Sequence, residues 1–576
     1  MAALRNDRLR SRQHVNGARQ IRFMIHAVVL VSVVLVTVAP LVFLVLNSFN
    51  VAPLGKPFAW GLRGWDQAFH APQTLSALKF SFLLSARTFI GLFAAFVVSW
   101  LLVRVRIPAH AFIEFSLWMA WFLPPLSVTI GWMALLDPQY GLINQALNAI
   151  LPFPVALNIY SFAGIIWVHL SLLTVPVMTI LLTPAFRQMD ASFEESARSC
   201  GSGPLKTLRR IVLPLLWPSV LVVTIAGLIR SLEAFEIEQL IGIPAGIYVY
   251  GTRIYDLIHW DPPRYGQAMA LSTIFLGALG LLIVLYQTLL RDGEFATLRA
   301  GGMSVRPALI GKWRHLASGL LLAWIVIGIY LPLGMVLLGS FMKFFGMFHI
   351  DQPFTLKHWG AVIVDPAFEN ALVNSLVLGF SVASAGVIVY SFLGLFMIRA
   401  RHFSASLLHF VVWIPWAIPG ILLGLSLLWL FLSVPLLNFF YGTLLVLIFA
   451  LILKDMPLGT QMFRAAFLQV ACELEQASRV AGAGGFTTFR RITMPLVAPM
   501  LVSIFVLVFM SSIRDISTPI LLALPSTTPL SVLMLERSVA GEIEKASVIG
   551  VILSGLAILT AWGMRRLGFR LGVNSA

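Results

Sequence analysis

Apolar runs long enough to cross a membrane recur along the whole sequence, and they constrain its fold most strongly. An α-helix needs about 18 to 20 apolar residues to span a hydrocarbon core of about 30 Å. We place twelve such runs near 25–46, 80–103, 111–136, 157–183, 211–230, 266–290, 317–341, 371–398, 405–433, 439–456, 492–512 and 545–563. Only 11% of the 576 residues are charged, compared with about 25% in soluble domains. The sequence therefore predicts an all-α polytopic membrane protein with about 12 transmembrane helices.

Two of the runs contain prolines in their interior. Pro124 and Pro125 lie inside the third run, and Pro415 and Pro419 lie inside the ninth. Such prolines are tolerated in a helix bundle because neighbouring helices satisfy the backbone groups that they free. We expect each of these runs to form one kinked span.

The basic residues are unevenly distributed among the connections. If the N-terminus is cytoplasmic and the twelve runs alternate in direction, 28 of the 40 lysines and arginines fall in the tails and cytoplasmic loops. Cytoplasmic loops of membrane proteins carry such an excess. The pattern predicts a multi-pass membrane protein with both termini cytoplasmic, and it accounts for the net charge of +16 without a nucleic-acid partner. We expect the basic head (5–22) to hold a retained first helix against the headgroups of the lipid bilayer.

One polar, glycine-rich segment occurs twice in this apolar chain. It is EESARSCGSGPLKTLRRIVLPLL at 194–216 and EQASRVAGAGGFTTFRRITMPLV at 475–497. At an offset of 281 positions, 16 of the 43 residues from 176 to 218 are identical. The repeat divides the chain into 1–300, with one copy at 190–214, and 301–576, with the other at 471–495. Because each half contains an even number of runs, the two halves form a parallel repeat.

The repeated segment predicts a short polar helix that ends at Gly201 or Gly482, where a left-handed residue closes the helix. Paired arginines follow, and then Pro214 or Pro495 stands in the first turn of the next apolar helix, where proline is tolerated. One interpretation is an amphipathic connector whose arginines bind phosphate headgroups. The matched spacing of the two copies favours the other interpretation, a symmetric pair of docking sites for a cytoplasmic partner.

The segment resembles the coupling-loop signature of the permease subunits of binding-protein-dependent (type I) ABC importers, which is Glu-Ala-Ala, three residues, Gly, nine residues and Ile-x-Leu-Pro. The first copy matches it with Glu195-Ser196-Ala197, Gly201, Ile211, Leu213 and Pro214. The second matches it with Gln476-Ala477-Ser478, Gly482, Ile492, Met494 and Pro495. The departures are Gln476 for Glu, Ser196 and Ser478 for Ala, and Met494 for Leu; Glu475 partly compensates for Gln476.

This resemblance implies a type I importer permease fold in the bacterial inner membrane, in which each coupling helix sits in a groove of one ATPase subunit. The partners would be two copies of a cytoplasmic ABC ATPase and one extracytoplasmic solute-binding protein. The coupling residues would be Glu194, Glu195, Ala197, Gly201, Arg209, Arg210, Pro214, Glu475, Gln476, Ala477, Gly482, Arg490, Arg491 and Pro495. The stretch 231–257 resembles the iron(III) permease branch, and relatives of similar layout carry thiamine, polyamines or phosphonates.

The sequence has no phosphate loop of the form G-x-x-x-x-G-K-[ST], so we expect ATP and Mg to be used by the partner ATPase and not by this chain. We predict a transport subunit with no catalytic residues, bound cofactor or metal, and with structural cysteines, Cys200 and Cys472, that do not pair. The outer segments have at most about 35 residues, which leaves the capture of solute to a separate protein.

Polar residues cluster where the fifth run of each half reaches the outside, at Glu233, Glu236, Glu238, Arg514 and Asp515. On a helix, Glu233 and Glu236 would share a face. Carboxylates suit a hard cation such as iron(III), but the interpretation that we favour is that these groups pair with arginines at the interface or contact the binding protein.

The rival class is an ion-coupled secondary transporter, which needs ionisable residues at mid-membrane. We assign Lys79 and Arg87 near the ends of their run and Lys454-Asp455 to a cytoplasmic end, and we expect His169 to be a satisfied intramembrane polar group. These assignments disfavour the rival.

Overall fold

The computed structural model describes residues 2–52, 56–190, 192–291, 313–399, 402–469 and 472–566. Its first-half helices are α1 (Ala2–Asn47), α2 (Arg63–His70), α3 (Pro72–Ser85), α4 (Arg87–Arg104), α5 (His110–Phe122), α6 (Pro125–Leu136), α7 (Leu142–Ile150), α8 (Phe162–His169), α9 (Val175–Gln188), α10 (Ser192–Ser199), α11 (Pro204–Thr207), α12 (Leu213–Leu232), α13 (Tyr250–His259) and α14 (Tyr265–Arg291).

Its second-half helices are α15 (Trp313–Ile325), α16 (Leu331–Phe341), α17 (Lys357–Ile363), α18 (Pro366–Arg399), α19 (His402–Trp413), α20 (Gly420–Ser433), α21 (Pro435–Asn438), α22 (Leu444–Gln469), α23 (Cys472–Val480), α24 (Gly485–Thr488), α25 (Met494–Arg514), α26 (Leu530–Val539) and α27 (Ile543–Arg566). Within the described residues, ten helices are long and apolar enough to cross a membrane, and two bent pairs bring the number to twelve.

Each of the two proline-containing runs breaks into two helices at its prolines, so the expectation of a kink within one continuous helix is wrong. α5 and α6 meet at 105°, and α19 and α20 meet at 102°. Leu123, the residue before Pro124, is extended, with a ψ of 140°, because proline disfavours the helical conformation in the residue that precedes it. Consecutive prolines thus end α5 and place Pro125 in the first turn of α6.

Each bent pair nevertheless crosses the bundle. The guanidinium Nε of Arg104, at the end of α4, lies 2.9 Å from Oε1 of Glu194 on α10, so α4 and α9 end at the same face. Between those ends the chain passes along α8–α9 once and therefore crosses once more through α5–α6. In the second half, Gly394 near the end of α18 lies against Arg464 near the end of α22: a Cβ added to Gly394 would be 3.0 Å from the backbone nitrogen of Arg464. α18 and α22 therefore end at the same face. Because α22 makes one crossing between those ends, α19–α20 must make the other. The twelve predicted runs therefore correspond to twelve crossings.

Five π-helical turns in the described residues each precede a proline by two positions. They are Leu170–Thr174, Leu208–Val212, Glu238–Gly242, Val326–Tyr330 and Phe489–Thr493, followed by Pro176, Pro214, Pro244, Pro332 and Pro495. Proline lacks an N–H and crowds the carbonyl four residues back, and a π turn bonds five residues back instead. After the turn that ends at Val212, for example, the N–H of Leu213 bonds the carbonyl of Leu208. Four of these prolines therefore lie in long helices that continue through them.

The first helix of each half packs against the other half. α1 packs on α19 and α20, whereas α16 packs on α6, and α27 also contacts α5 and α6. Tyr330, in the π turn before α16, stacks on Phe112 of α5 at a ring distance of 5.7 Å and lies 3.0 Å from the hydroxyl of Ser116. On the other side, Tyr265 of α14 meets Trp429 of α20 edge to face. The broken helices therefore occupy the centre of the molecule, enclosed by elements of both halves.

The same tryptophan contacts occur after the first membrane-length helix of each half. The indole N–H of Trp65 donates to the hydroxyl of Ser48 at 3.2 Å, and its ring stacks on Phe49 at 5.4 Å. Trp359 repeats both contacts in the second half, with Ser340 at 3.2 Å and Phe341 at 5.6 Å. The offset of 281 positions does not align these residues, because Trp65 and Trp359 are 294 positions apart: the first half has 13 more residues than the second between this tryptophan and the repeated segment.

Candidate coupling hairpins and solute path

The two copies of the repeated segment fold into matching hairpins. We call α10, Gly201 and α11 the first hairpin, and α23, Gly482 and α24 the second. The φ angles of Gly201 and Gly482 are 75° and 83°. In each copy the residue after the glycine donates its N–H to the carbonyl five residues back, at 2.9 Å in the first hairpin and 3.0 Å in the second. This is the Schellman closure, in which a left-handed glycine ends a helix, so the predicted local structure is confirmed in both copies.

The helix that follows each closing glycine begins earlier than the sequence suggested. In the first half it starts at Pro204 and runs without a break through the π turn into α12. In the second half it starts at Gly485 and runs into α25 in the same way. Pro214 and Pro495 are therefore interior to continuous helices and not in a first turn, because the preceding π turns accommodate them.

Most residues predicted to contact an ATPase are exposed, either on the hairpins or on the helix that continues from each. This exposed set contains Glu195, Gly201, Arg209, Arg210, Pro214, Gln476, Ala477, Gly482, Arg490, Arg491 and Pro495. Glu194 and Ala197 are exceptions: their exposed fractions are only 5% and 8%. The side chain of Glu475 lies outside the described residues. In the first copy, therefore, one face of the coupling helix points into the protein and the other points out.

The inward face of α10 is anchored by a residue that we did not predict as part of the site. Arg104 is 1% exposed and pairs with Glu194 through Nε, and its Nη2 donates to the carbonyl of Met189 at 2.7 Å. In the sequence, Arg104 was only one of the basic residues in a cytoplasmic loop. The sequence does show an acidic residue, Glu194, beside the signature residue Glu195. It does not show which basic side chain pairs with Glu194.

The C-terminal ends of α12 and α25 contribute to a second candidate site, which lies between the halves. We call Arg230, Glu233, Lys454 and Asp515 the junction cluster. Lys454 Nζ lies 2.7 Å from Oδ2 of Asp515 and 3.4 Å from Oε1 of Glu233, and Glu233 also pairs with Arg230. The assignment of Lys454-Asp455 to a cytoplasmic end is wrong, because α22 extends to Gln469 and places Lys454 near its middle.

The junction cluster lies at the break between α19 and α20. The backbone N–H of Gly420, the first residue of α20, donates to Glu233 at 3.3 Å. Arg230 lies over the ring of Trp416, next to the break, at 5.1 Å. Arg514 contacts the other break, donating to the carbonyls of Trp121 and Leu123 at the end of α5.

Glu233 and Glu236 do not share a helix face, because α12 ends at Leu232 and a non-helical connection follows. Oε2 of Glu236 is buried and has no hydrogen-bond partner in the described part of the chain. The same segment thus provides one carboxylate that is paired with cations, Glu233, and one with a buried oxygen that has no hydrogen-bond partner among the described residues, Glu236.

Glu238 belongs to a separate group inside the first half. Its Oε1 lies 2.8 Å from Nε2 of His169 and 4.0 Å from Nη2 of Arg87. His169 is thus a satisfied buried polar group, as expected. Arg87 is not near the end of its span, because α3 and α4 together form one crossing from Pro72 to Arg104 and Arg87 lies near its centre. Among the described residues, no three His, Cys, Asp or Glu side chains lie close enough together to hold a metal ion.

Comparisons with known proteins agree on one class of membrane component. Residues 390–573 match the family described as "Binding-protein-dependent transport system inner membrane component". The chain is 25% identical over 474 residues to the probable ABC transporter permease protein y4fN of Sinorhizobium fredii, covering 80% of each chain. It is also 25% identical over 453 residues to the ferric transport system permease protein FbpB of Actinobacillus pleuropneumoniae, covering 76% of this chain and 64% of that protein.

A third relative covers less of this chain. The putative 2-aminoethylphosphonate transport system permease protein PhnV of Salmonella paratyphi A is 23% identical over 248 residues, which make up 43% of this chain and 92% of that protein. One half of the present chain therefore corresponds in length to a whole protein of that kind.

Proposed function

We propose that this chain, an ABC importer permease of the binding-protein-dependent type, forms the whole solute path of an importer with two cytoplasmic ATPase subunits and one extracytoplasmic binding protein. The observation that carries the proposal is the pair of matching hairpins, each closed by a left-handed glycine. A single chain with two such hairpins offers two equivalent docking sites, and so requires two ATPase subunits.

The hairpins face the cytoplasm in this proposal. Both are followed by exposed arginine pairs, Arg209-Arg210 and Arg490-Arg491, which fits the excess of basic residues on the cytoplasmic side. Even numbers of crossings separate the hairpins from each other and from both termini, so the termini are cytoplasmic too. The connections at the other face, among them 137–161 and 434–443, then contact the binding protein.

The solute passes between the halves, where the two broken helices meet elements of both repeats. Lys454 is 15 residues from the end of α22, or roughly 22 Å along its axis at about 1.5 Å per residue. The junction cluster therefore lies between the middle of the membrane and its outer face. Because it joins residues of both halves by ion pairs, the path must rearrange at this point for solute to pass.

Iron(III) is the solute that we propose first. The resemblance of 231–257 to iron(III) permeases supports it, as does the relative named as a ferric transport permease. Carboxylates such as those at this end of the path prefer hard cations. Thiamine, polyamines and phosphonates are the alternatives, the last favoured by the relative named for 2-aminoethylphosphonate.

One observation favours a secondary transporter as a second candidate. His169, Arg87, Lys454 and Asp455 lie within membrane-length helices, and intramembrane ionisable residues are common along proton and ion pathways. The distinction is the energy source: an importer of the proposed class takes up solute only with ATP and its ATPase, whereas a secondary transporter needs neither.

Purification with the ABC ATPase and the solute-binding protein of the same genome tests the proposal. Native mass spectrometry should give one permease chain, two ATPase subunits and one binding protein. Proteoliposomes of this complex should take up radiolabelled iron(III) only with internal ATP and the binding protein. Two permease chains per ATPase pair, or uptake driven by an ion gradient without ATPase, would contradict it.

A further inference from the structure

We infer that Arg104 is a positioning residue that fixes the first hairpin to the membrane-spanning bundle, so that a movement of the docked ATPase is passed to both halves of the permease. This inference rests on the proposed function of the hairpin. It adds a residue that lies outside the repeated segment and outside the family signature.

The contacts of Arg104 join three elements at one guanidinium. The residue itself ends α4, its Nε bonds Glu194 of α10 at 2.9 Å, and its Nη2 bonds the carbonyl of Met189, the residue after α9, at 2.7 Å. A guanidinium is planar and holds its donors in a fixed fork. Charge-assisted bonds of this kind are short and directional. The guanidinium of Arg104 therefore ties α10 directly to the ends of α4 and α9.

The anchored face and the docking face of α10 are carried by different side chains. Neighbouring residues on a helix point about 100° apart, so Glu194 points towards Arg104 while the next residue, Glu195, is exposed. A change at Arg104 consequently leaves the exposed face chemically unaltered. Docking of the ATPase and transmission of its movement can thus be disturbed separately.

From Arg104 the contacts continue into the second half. Residues 105–109 connect α4 to α5, and the carbonyl of Pro108 accepts a hydrogen bond of 2.7 Å from the hydroxyl of Ser318. Ser318 is 2% exposed and lies on α15, the first helix of the second half. Direct contacts therefore lead from the first hairpin to an element of the other repeat that packs against the first half.

A purely structural role for the pair is the competing explanation. A buried ion pair is an expensive way to hold two elements together, since apolar side chains of similar volume often hold them equally well or better. The pair does provide direction, which a positioning role requires. The two explanations differ in what happens to ATP hydrolysis: a structural defect lowers the amount of complex, whereas a positioning defect leaves complex that hydrolyses ATP without moving solute.

The test uses the whole transporter, reconstituted with its ATPase and binding protein, and compares Arg104→Gln and Glu194→Gln with the wild type. Arg106→Gln is the matched control, because Arg106 is exposed and only two residues away. We expect both variants of the pair to retain the ATPase on co-purification but to transport about tenfold less solute per ATP hydrolysed, the size of effect expected from losing a charge-assisted hydrogen bond. Hydrogen exchange at the amides of 192–199 should be faster in both, and Arg106→Gln should match the wild type.

Three outcomes would overturn the inference. If Arg104→Gln transports as much solute per ATP as the wild type, Arg104 does not position the hairpin, although the proposed function stands. If the wild-type chain binds no ATPase, the proposed function fails and the inference fails with it. If Arg104→Gln is not recovered from the membrane, Arg104→Lys replaces it, because that variant keeps the buried charge; full coupling in Arg104→Lys would overturn the inference, because lysine lacks the fixed fork of donors on which the positioning role depends.

Discussion

Glu233 and Arg514 occupy matching positions in the two halves, and each reaches across to the broken helix of the other half. They lie 281 positions apart, the offset of the repeat. Glu233 accepts the N–H of Gly420 at the start of α20, whereas Arg514 donates to the carbonyls of Trp121 and Leu123 at the end of α5. Helix starts attract negative charge and helix ends attract positive charge, so the opposite charges at equivalent positions each suit the helix end that they meet.

Replacing Arg514 should loosen the break in the first half. Arg514→Met removes the donor from two carbonyls at the end of α5, and an unsatisfied buried backbone group costs about 1–3 kcal/mol. We expect a lower thermal unfolding midpoint for the purified permease in detergent, measured by tryptophan fluorescence. Arg514→Lys, which keeps a charged donor, is the control and should lie between Arg514→Met and the wild type. Equal midpoints for all three proteins would show that this contact does not stabilise the break.

Lys454 should be more costly to remove alone than together with a partner. Lys454→Met leaves the carboxylate of Asp515 buried without its cation, and such a loss typically costs about 3–5 kcal/mol. Lys454→Met combined with Asp515→Asn removes both charges and should recover much of this loss, because Glu233 keeps Arg230. Monodisperse yield on size-exclusion chromatography, together with the unfolding midpoint, measures the difference. A double variant as unstable as the single one would show that Lys454 and Asp515 do not stabilise each other.

The glycines that close the two hairpins should not tolerate a side chain. At Gly201 and Gly482 a Cβ meets nothing within 4 Å, so the cost arises from the left-handed backbone and is about 1 kcal/mol or more. Gly201→Asp and Gly482→Asp should insert into the membrane normally but bind less ATPase and lose uptake, as measured by co-purification and transport. Gly203→Asp and Gly484→Asp are matched controls, because those glycines also have open space but no positive φ. Normal ATPase binding and uptake in the Gly201 and Gly482 variants would favour an amphipathic connector.

Reporter fusions can test the orientation of the chain. Fusions after residues 202, 310 and 570 should all report a cytoplasmic location, because the first hairpin, the connection between the halves and the C-terminus are separated by even numbers of crossings. The last two positions lie outside the described residues, so the prediction for them depends on the basic residues around them. A periplasmic signal at residue 310 would contradict the arrangement of two six-span halves.

Much of the fold and part of the site followed from local sequence patterns. The twelve crossings were recognisable because an apolar run of membrane length has few alternatives in a chain with so little charge. The hairpins were recognisable because a helix end depends on a few consecutive residues, and Gly201 and Gly482 each follow a polar helix. The internal repeat then assigned the two hairpins to equivalent places without any knowledge of the packing.

The tertiary structure decided which distant residues meet. Arg104 and Glu194 are 90 positions apart, and Glu233 and Lys454 come from different halves, so neither pairing leaves a local signal. The placement of Lys454 was wrong because the apolar run appeared to end at 456, whereas ion pairing with Asp515 and Glu233 lets a charged residue lie inside the longer helix α22. Charge patterns therefore predict which side of the membrane the loops favour, but only the packing of the two halves determined which charges are buried and paired.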